Sequence, residues 1–419
     1  MNNCIAILGE GRSGKAAAQL ARQLNIPSKI LSDTTQGTQK PNSINLFDNC
    51  ELIVVSPGIP PTSALYQEAI ASGKEIISEL EFGARHFDGK YIAITGTNGK
   101  TTTTELVTHL LQALNINAIA AGNIGHPFTT VCADVKGSRL PADTVPVIEV
   151  SSFQLEHVRR FAPLAALMLN IAEDHLDRYP GGMSEYTATK EKIFKNVSPE
   201  NQIYGIRYKK QASSRFKIED AIIKFNDQDI IAFDKLKLKA NHNQENVIGA
   251  LELIGRVLTL NESNIETLKK ALRTYTPGKH RVEKVMEQEG ISYVDDSKGT
   301  NPAAVVAALQ SIAGTNKNIR LILGGLDKGM DFAPVKDYST RIKKVYILGE
   351  CREKLYKTLH DALDCENFTD FEKCVLTACN EAVKGDTVLL SPGCASFDMF
   401  KNYKERGDRF QKLVRECNS

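Results

Sequence analysis

Short apolar runs alternating with longer amphipathic stretches recur along this chain, and they read as strands and helices in alternation. The first run, Cys4 to Leu8, is followed by a Gly-rich turn, a helical pattern from Ser13 to Leu24, and a second strand, Lys29 to Leu31, ending at Asp33. That order is the grammar of a βαβ unit. Another buried strand, Leu52 to Val55, runs into Ser56-Pro57-Gly58, where Pro and Gly enforce a turn. The first domain closes near Phe87-Asp88-Gly89, giving a boundary at 88/89.

A new unit opens with the strand Tyr91 to Ile94, the loop 95–99 and a helix whose Leu106, Val107, Leu110, Leu111 and Leu114 follow helical spacing. Val145 to Val150 and Ala165 to Leu169 are uniformly apolar, as expected of a mainly parallel sheet buried on both faces. The segment from Asn201 to Leu238 is more polar and strand-rich, and its pattern assigns it to no sheet. A helix from Asn243 to Leu258 follows, and Pro277-Gly278 is a linker. The alternation then restarts with Ile291 to Val294, Ile319 to Leu323, Val345 to Leu348 and Thr387 to Leu390, each expected to lead through a turn into a helix. The sequence therefore predicts three α/β domains in series, 1–88, 89–278 and 279–419, with the chemistry on loops at the carboxyl ends of strands.

Composition narrows the class. With 419 residues, 42% hydrophobic and 24% charged, the chain has the make-up of a multidomain globular protein. A net charge of +2 without a basic run gives no reason to expect nucleic acid or a membrane surface as partner. There is no leader-like N-terminus and no apolar run of membrane-spanning length, so the expected address is the cytoplasm, with no membrane insertion. The nine cysteines are scattered and lack a CxxC pair, which suits reduced thiols. A monomer is the default expectation.

The strongest local signal is Thr95-Gly96-Thr97-Asn98-Gly99-Lys100-Thr101-Thr102 between a buried strand and a helix. Its glycines let backbone N–H groups wrap a polyphosphate, the helix N-terminus favours negative charge, Lys100 reaches outer phosphates and Thr101 suits Mg2+. The full pattern wants a Gly at position 94, which is Ile, so the loop is a shortened variant. The bland alternative is a Gly/Thr-rich surface turn. Gly9-Glu10-Gly11-Arg12-Ser13-Gly14, with Asp33 some twenty residues on, matches a dinucleotide fingerprint. Hydride transfer would not explain the loop at 95, so this turn is read as holding a nucleotide substrate's pyrophosphate, with NAD the alternative. Glu149, at a strand end, is a candidate Mg2+ ligand or a solvated carboxylate. Asn170 and the cluster Glu173-Asp174-His175-Leu176-Asp177-Arg178-Tyr179 follow the next strand, where His175 is either a metal ligand or a helix-cap residue.

Taken together, Gly96 to Thr101, Gly122-Asn123-Ile124-Gly125, Glu149 in EVSSFQLE, EDHLDRY at 173–179, DDSKGTN at 295–301 and SPGCASFDMFKNYKERG at 391–407 resemble the Mur ligases. The match runs through essentially the whole chain in order, and SSFQLE and SPGCASFD are most similar to the D-glutamate-adding branch. The resemblance implies a Rossmann-like first domain for a UDP-linked substrate, a P-loop-type central ATPase domain and a Rossmann-like last domain for the amino acid. It implies that the carboxylate of UDP-N-acetylmuramoyl-L-alanine takes the γ-phosphoryl group of ATP, and that D-glutamate attacks the acyl phosphate.

By the same resemblance, ATP is met by Gly96, Thr97, Asn98, Gly99, Lys100, Thr101, Thr102, Asn246, Arg281 and Asp296. Two Mg2+ ions fall to Thr101, Glu149, His175 and Lys190, the last as a carbamate, and Lys100, Glu149, His175 and Lys190 form the catalytic set. Without the family, Lys190 would be a solvated helix lysine and Arg281 a linker charge. Arg12, Ser13, Asp33, Thr34, Ser56, Gly58, Asn123, Ser151 and Gln154 fall to the UDP-substrate, and Lys298, Thr300, Lys328, Ser396, Phe397 and Tyr403 to D-glutamate. Two lysines with hydroxyls suit a small dicarboxylate. Relatives carry an arginine after the Asp-Thr pair where this chain has Thr35, a departure for which Arg12 would compensate. The rival readings are a Mur ligase adding another amino acid, whose acidic-Asn-Pro-Arg motif is missing here, a folylpolyglutamate synthase, which would not need the first domain, and a nucleotide-binding regulatory protein or NAD-linked oxidoreductase.

Overall fold

The computed structural model describes residues 4–32, 46–206, 208, 214–238, 243–312 and 316–417. The chain forms two compact units, one of 1–171, 184–236 and 245–275, the other of 172–183, 237–244 and 276–419. Asp33, Thr34 and Thr35 lie outside the described residues.

The first unit carries two parallel sheets. The strands Ser28–Leu31, Cys4–Leu8, Cys50–Val55 and Glu75–Ser78 lie side by side in that order. The second sheet runs Ala118–Gly122, Val145–Glu149, Ile92–Thr95, Ala165–Met168, Gln202–Tyr204, also parallel. Its central strand is wholly buried, which is why Ile92, Ala93 and Ile94 are apolar and why the closing Thr95 donates its hydroxyl to the Val150 carbonyl at 2.8 Å. Because the strands run the same way, the loops after Thr95, Glu149 and Met168 leave from one edge. The segment unplaced by its pattern supplies the edge strand Gln202–Tyr204 and a small antiparallel meander of Phe216–Glu219, Ile222–Phe225 and Gln228–Ala232.

A single apolar core joins the flanks of both parallel sheets, with Ile5, Ile7 and Val54 from the first and Ala93, Ile148 and Met168 from the second. Two acidic residues of the helix Glu79–Arg85 stitch this core. Ser78 caps the helix by accepting from the Glu81 amide at 3.2 Å. The Glu81 carboxylate, fully buried, accepts from the amides of Arg159, Arg160 and Phe161 at 2.9 Å and from Arg85 Nε at 2.8 Å. Glu79 Oε1 accepts from the Thr129 amide at 2.8 Å and its hydroxyl at 2.5 Å.

The second unit holds a six-stranded sheet ordered Glu283–Gln288, Ile291–Asp295, Thr387–Leu390, Ile319–Gly324, Ile342–Leu348, Cys365–Asn367. The first pair is antiparallel and the others parallel. Three of the four expected strands lead into α-helices, Pro302–Ser311, Arg352–Leu359 and Tyr403–Cys417. After Ile319–Gly324 the expected helix is replaced by a long Gly-containing loop and a 3-10 helix, Ala333–Tyr338, with Pro334 in its first turn. Gly325 and Gly329, both at positive φ, keep that stretch from winding into a helix.

Replacing Glu81 with Ala leaves four donors, one buried and three part-buried, without their acceptor. Glu81→Ala is expected to destabilise the first unit by about 3 kcal/mol, seen as a lower urea midpoint; an unchanged midpoint would show that the carboxylate does not hold this core together.

Candidate functional site

The central strand Ile92–Thr95 hands the chain to a four-residue loop and then to the helix Lys100–Ala113. Two glycines shape the loop, Gly96 at φ +148° and Gly99, the helix N-cap, at φ +83°. A side chain at Gly99 would run into the Asn246 amide, so both conformation and space exclude one. Asn170, from the end of the neighbouring strand, holds the loop open. Its carbonyl accepts from the Thr97 amide and its side-chain oxygen from the Asn98 amide, both at 2.9 Å.

Two ammonium groups converge on one loop oxygen. Lys100 Nζ donates to the carbonyls of Gly96 and Thr97 at 2.8 Å, and Lys190 Nζ donates to the same Gly96 carbonyl at 2.9 Å. Lys190 is only 1% exposed, with its ammonium 4.9 Å from the Tyr186 ring centroid, and is no solvated helix lysine. Thr101 and Thr102 are buried in the first turn of the helix. Positive charge, a helix N-terminus and a glycine loop thus face the same place, which suits a polyphosphate.

Glu149 is not solvated either. It ends the strand Val145–Glu149 at 1% exposure, and its Oε1 accepts from Asn123 Nδ2 at 2.8 Å. Its Oε2 is buried with no hydrogen-bond partner among the described residues. A buried carboxylate oxygen left open next to a threonine-bearing phosphate loop fits a divalent cation. Ser151 and Gln154 cap the next helix reciprocally, Ser151 accepting from the Gln154 amide and the Gln154 side chain from the Ser151 amide at 2.9 Å. In the first sheet's turn, Ser13 lies in the opening turn of the helix Arg12–Gln23, and Arg12 donates to the Gly125 carbonyl. Across the turn, Ser56 and Gly58 follow the strand Cys50–Val55, and the Ser56 hydroxyl is buried with no partner among the described residues.

The second unit gathers the others. Lys328 Nζ lies 2.9 Å from Asp174 Oδ1, and Asn301 Nδ2 donates to Asp174 Oδ2 at 3.5 Å. His175, at φ +55°, sits in a turn with Nε2 3.6 Å from Asp174 Oδ1 and caps no helix. Asp174 and Asn301 escaped the sequence reading, although both lie inside its quoted motifs. Lys298 Nζ stands 4.1 Å from the Tyr403 ring centroid, a cation–π contact. Thr300 is half-buried, Ser396 buried and Phe397 69% exposed. Asp296 Oδ2 accepts from the Ser391 hydroxyl at 2.7 Å and Oδ1 from the Val282 amide at 3.3 Å. Burial nevertheless pushes its carboxyl up to about 7, against the pull of those donors.

Comparison with known proteins agrees with this geometry. A family model described as the Mur ligase middle domain matches residues 94–283, and one described as Mur ligase, glutamate ligase domain, matches 280–394. UDP-N-acetylmuramoylalanine--D-glutamate ligase of Salinibacter ruber is 33% identical over 97% of this chain and 96% of its own length. Its namesake from Bacteroides fragilis is 35% identical over 98% of this chain and 99% of its own. Among solved structures, the UDP-N-acetylmuramate-alanine ligase of Thermotoga maritima, 15% identical, shares the fold with a TM-score of 0.62 over 98% of this chain and 99% of that one. The MurF ligase of Thermotoga maritima in complex with ADP, 14% identical, does so at 0.57 over 99% and 95%. The two matching family models, the shared α/β fold and relatives a third identical along nearly its whole length make this chain a member of the Mur ligase family.

Proposed function

We propose that the chain uses ATP to join D-glutamate to UDP-N-acetylmuramoyl-L-alanine, a step of peptidoglycan precursor synthesis. The relatives that carry this activity in their names match end to end, and the observation that carries the chemistry is the convergence of Lys100 and Lys190 on the Gly96 carbonyl. Residues 1–88 are read as the UDP-substrate domain, 89–278 as the ATP domain and 279–419 as the D-glutamate domain. The cytoplasm is the proposed place of action and a monomer the proposed form; among the described residues no helix is long and apolar enough to cross a membrane.

In the proposed reaction the substrate carboxylate attacks the γ-phosphorus, ADP leaves, and the D-glutamate amine attacks the resulting acyl carbon. The tetrahedral oxyanion collapses with loss of phosphate and of the amine proton. The Gly96–Thr102 loop cradles the triphosphate, and Lys100 moves from its loop carbonyls to the outer phosphate oxygens as charge shifts toward the leaving group. Asn246, packed against Gly99, together with Arg281 and Asp296, holds the rest of the nucleotide. Thr101, Glu149 and His175 are the proposed holders of two Mg2+ ions, which would neutralise phosphate charge. Lys190 joins them as a carbamate: its ammonium gives up a proton, the neutral amine adds CO2 and a second proton leaves, so that an anionic oxygen donor replaces the cation.

On the first unit, Arg12, Ser13, Ser56, Gly58, Asn123, Ser151 and Gln154 are the proposed contacts of the UDP-substrate, with Asp33 and Thr34 beyond the described residues. Lys298, Thr300, Lys328, Ser396, Phe397 and Tyr403 are the proposed D-glutamate contacts. Lys328 is held ready by Asp174, and Lys298 by the Tyr403 ring.

Phosphate release with UDP-N-acetylmuramoyl-L-alanine and ATP should require D-glutamate and ignore L-glutamate. Equal turnover with both enantiomers, or with neither, would refute the assignment. Lys190→Ala should lose roughly a hundredfold or more in kcat and regain part of it with added short carboxylates; full unrescued activity would eliminate the carbamate. A third expectation concerns pH. The Asp296 carboxyl is raised in the folded chain from its ordinary 3.8 to about 7, so the fold favours its protonated form. Its contribution is complete below about pH 4 and is lost as pH rises through about 7, at no more than ~1.4 kcal/mol per unit. Asp296→Asn should therefore gain stability relative to the parent as pH rises from about 4 to about 7 in urea titrations, and a constant difference would count against the buried, protonated carboxyl.

A further inference from the structure

Between the 277–278 linker and the strand Glu283–Gln288, the chain follows an unusual path. His280 at φ +64° and Val282 at φ +48° both lie in the left-handed region, on either side of Arg281. Such a conformation is costly for any residue with a Cβ and most of all for a β-branched one, on the order of 1–3 kcal/mol each. It persists only where the surroundings impose it, and here they do so through one side chain.

The His280 ring is 3% exposed and is seated from three elements. From the strand Ile291–Asp295, Asp295 Oδ2 accepts from ring Nδ1 at 2.7 Å. From the strand Glu283–Gln288, Glu283 Oε2 accepts from the His280 amide at 2.8 Å. From the helix Tyr403–Cys417, Asp408 lies 3.6 Å from ring Nε2, Tyr403 meets the ring edge-on, and Gly407 leaves the space the ring fills, which a Cβ would invade. Gln411 of that helix donates to both Asp295 Oδ2 at 2.9 Å and Glu283 Oε2 at 3.2 Å. His280, Glu283 and Asp295 bring their ligand-type atoms within 4.8 Å of one another, yet these atoms are engaged with each other, with Gln411 and with the Ser297 amide. The trio is a seat for the ring.

Two outputs leave this seat. The His280 carbonyl accepts from the Lys298 amide at 3.1 Å, and the Val282 amide reaches Asp296 Oδ1 at 3.3 Å. We propose that His280 is a positioning residue whose seated ring imposes the doubly left-handed path of 280–282 and thereby fixes Arg281 on one side and the Lys298 loop on the other. The importance of those two residues rests on the functional reading above; the positioning itself does not.

The experiment compares His280→Ala, His280→Asn and His280→Gly in the full chain. Asn keeps a donor for Asp295, whereas Gly relaxes the φ constraint but removes the ring. Amide hydrogen exchange is followed over peptides containing Val282 and Lys298. Protection of both should fall by tenfold or more in the Ala and Gly variants and recover in Asn; unchanged protection in Ala overturns the proposal whatever reaction the chain performs. In turnover, Ala and Gly should lose roughly a hundredfold in kcat, as expected for misplaced reacting groups. Asn should recover at least tenfold, and KM for the UDP-substrate should stay within about threefold in all three. A loss of turnover below threefold in Ala, or equal damage to UDP-substrate KM and kcat, overturns it as well. Failure of the functional reading would show separately, as a parent chain without D-glutamate-dependent phosphate release.

Discussion

One carbonyl oxygen organises the glycine-loop end of the first unit. Gly96, turned to φ +148°, presents its C=O to both Lys100 and Lys190, which donate to it at 2.8 and 2.9 Å. Two cations sharing one neutral acceptor repel each other, and that repulsion would be relieved by an anion between them or by the proposed conversion of Lys190 to a carbamate. The arrangement depends on the sheet. Ile94 pairs with Glu149 and with Leu167, so the loop, Glu149 and Asn170 issue from adjacent strands in register. A slip of that pairing would separate the lysines from the open carboxylate oxygen.

The second unit solves a different problem, that of holding polar side chains at the ends of strands without letting them collapse together. Asp295 and Asp296 are neighbours with opposite surroundings. Asp295 is met by the His280 ring, Gln411 and the Ser297 amide. Asp296 has only a hydroxyl and one long amide contact, and burial keeps it near neutrality. Asp295 closes the strand and Asp296 is the first residue beyond it, so two adjacent acids enter different surroundings, one in the His280 seat and the other under the Ser391 hydroxyl. Asp174 performs a similar service for Lys328, restraining a long cation that would otherwise lose more rotamer freedom on meeting its ligand.

Much of this was legible in the chain itself. Apolar runs such as Ile92 to Ile94 and Ala165 to Met168 announce a parallel sheet because both faces are covered, and the glycine pattern at 96–99 announces the loop because few other residues reach those angles. The burial of Lys190 and Glu149 was not legible. Each has the sequence neighbourhood of a solvated charge, and only tertiary packing shows one donating into the loop and the other lacking a partner. The stretch holding the meander at 216–232 read as strand-rich but could be assigned to no sheet, because short, half-buried antiparallel strands carry weak alternation. The His280 seat was invisible for the same kind of reason, its partners being drawn from positions 283, 295, 408 and 411.

Buried carboxylates in the first unit show how function can be told from architecture without a ligand. Glu81 accepts four donors and has nothing left to offer; it is a structural weld. Among the described residues, Glu79 and Glu149 each keep one oxygen without a hydrogen-bond partner. They differ in where that oxygen lies. Glu79 belongs to a helix packed into the shared core, where burial pushes its carboxyl up and the Thr129 donors only partly oppose the shift. A core acid of that kind escapes its desolvation penalty by taking a proton. Glu149 instead ends a strand at the edge from which the phosphate loop leaves, with Asn123 orienting its other oxygen. There an entering ligand would supply the missing partner, and so the open oxygen of Glu149 points to a candidate site while that of Glu79 belongs to the core.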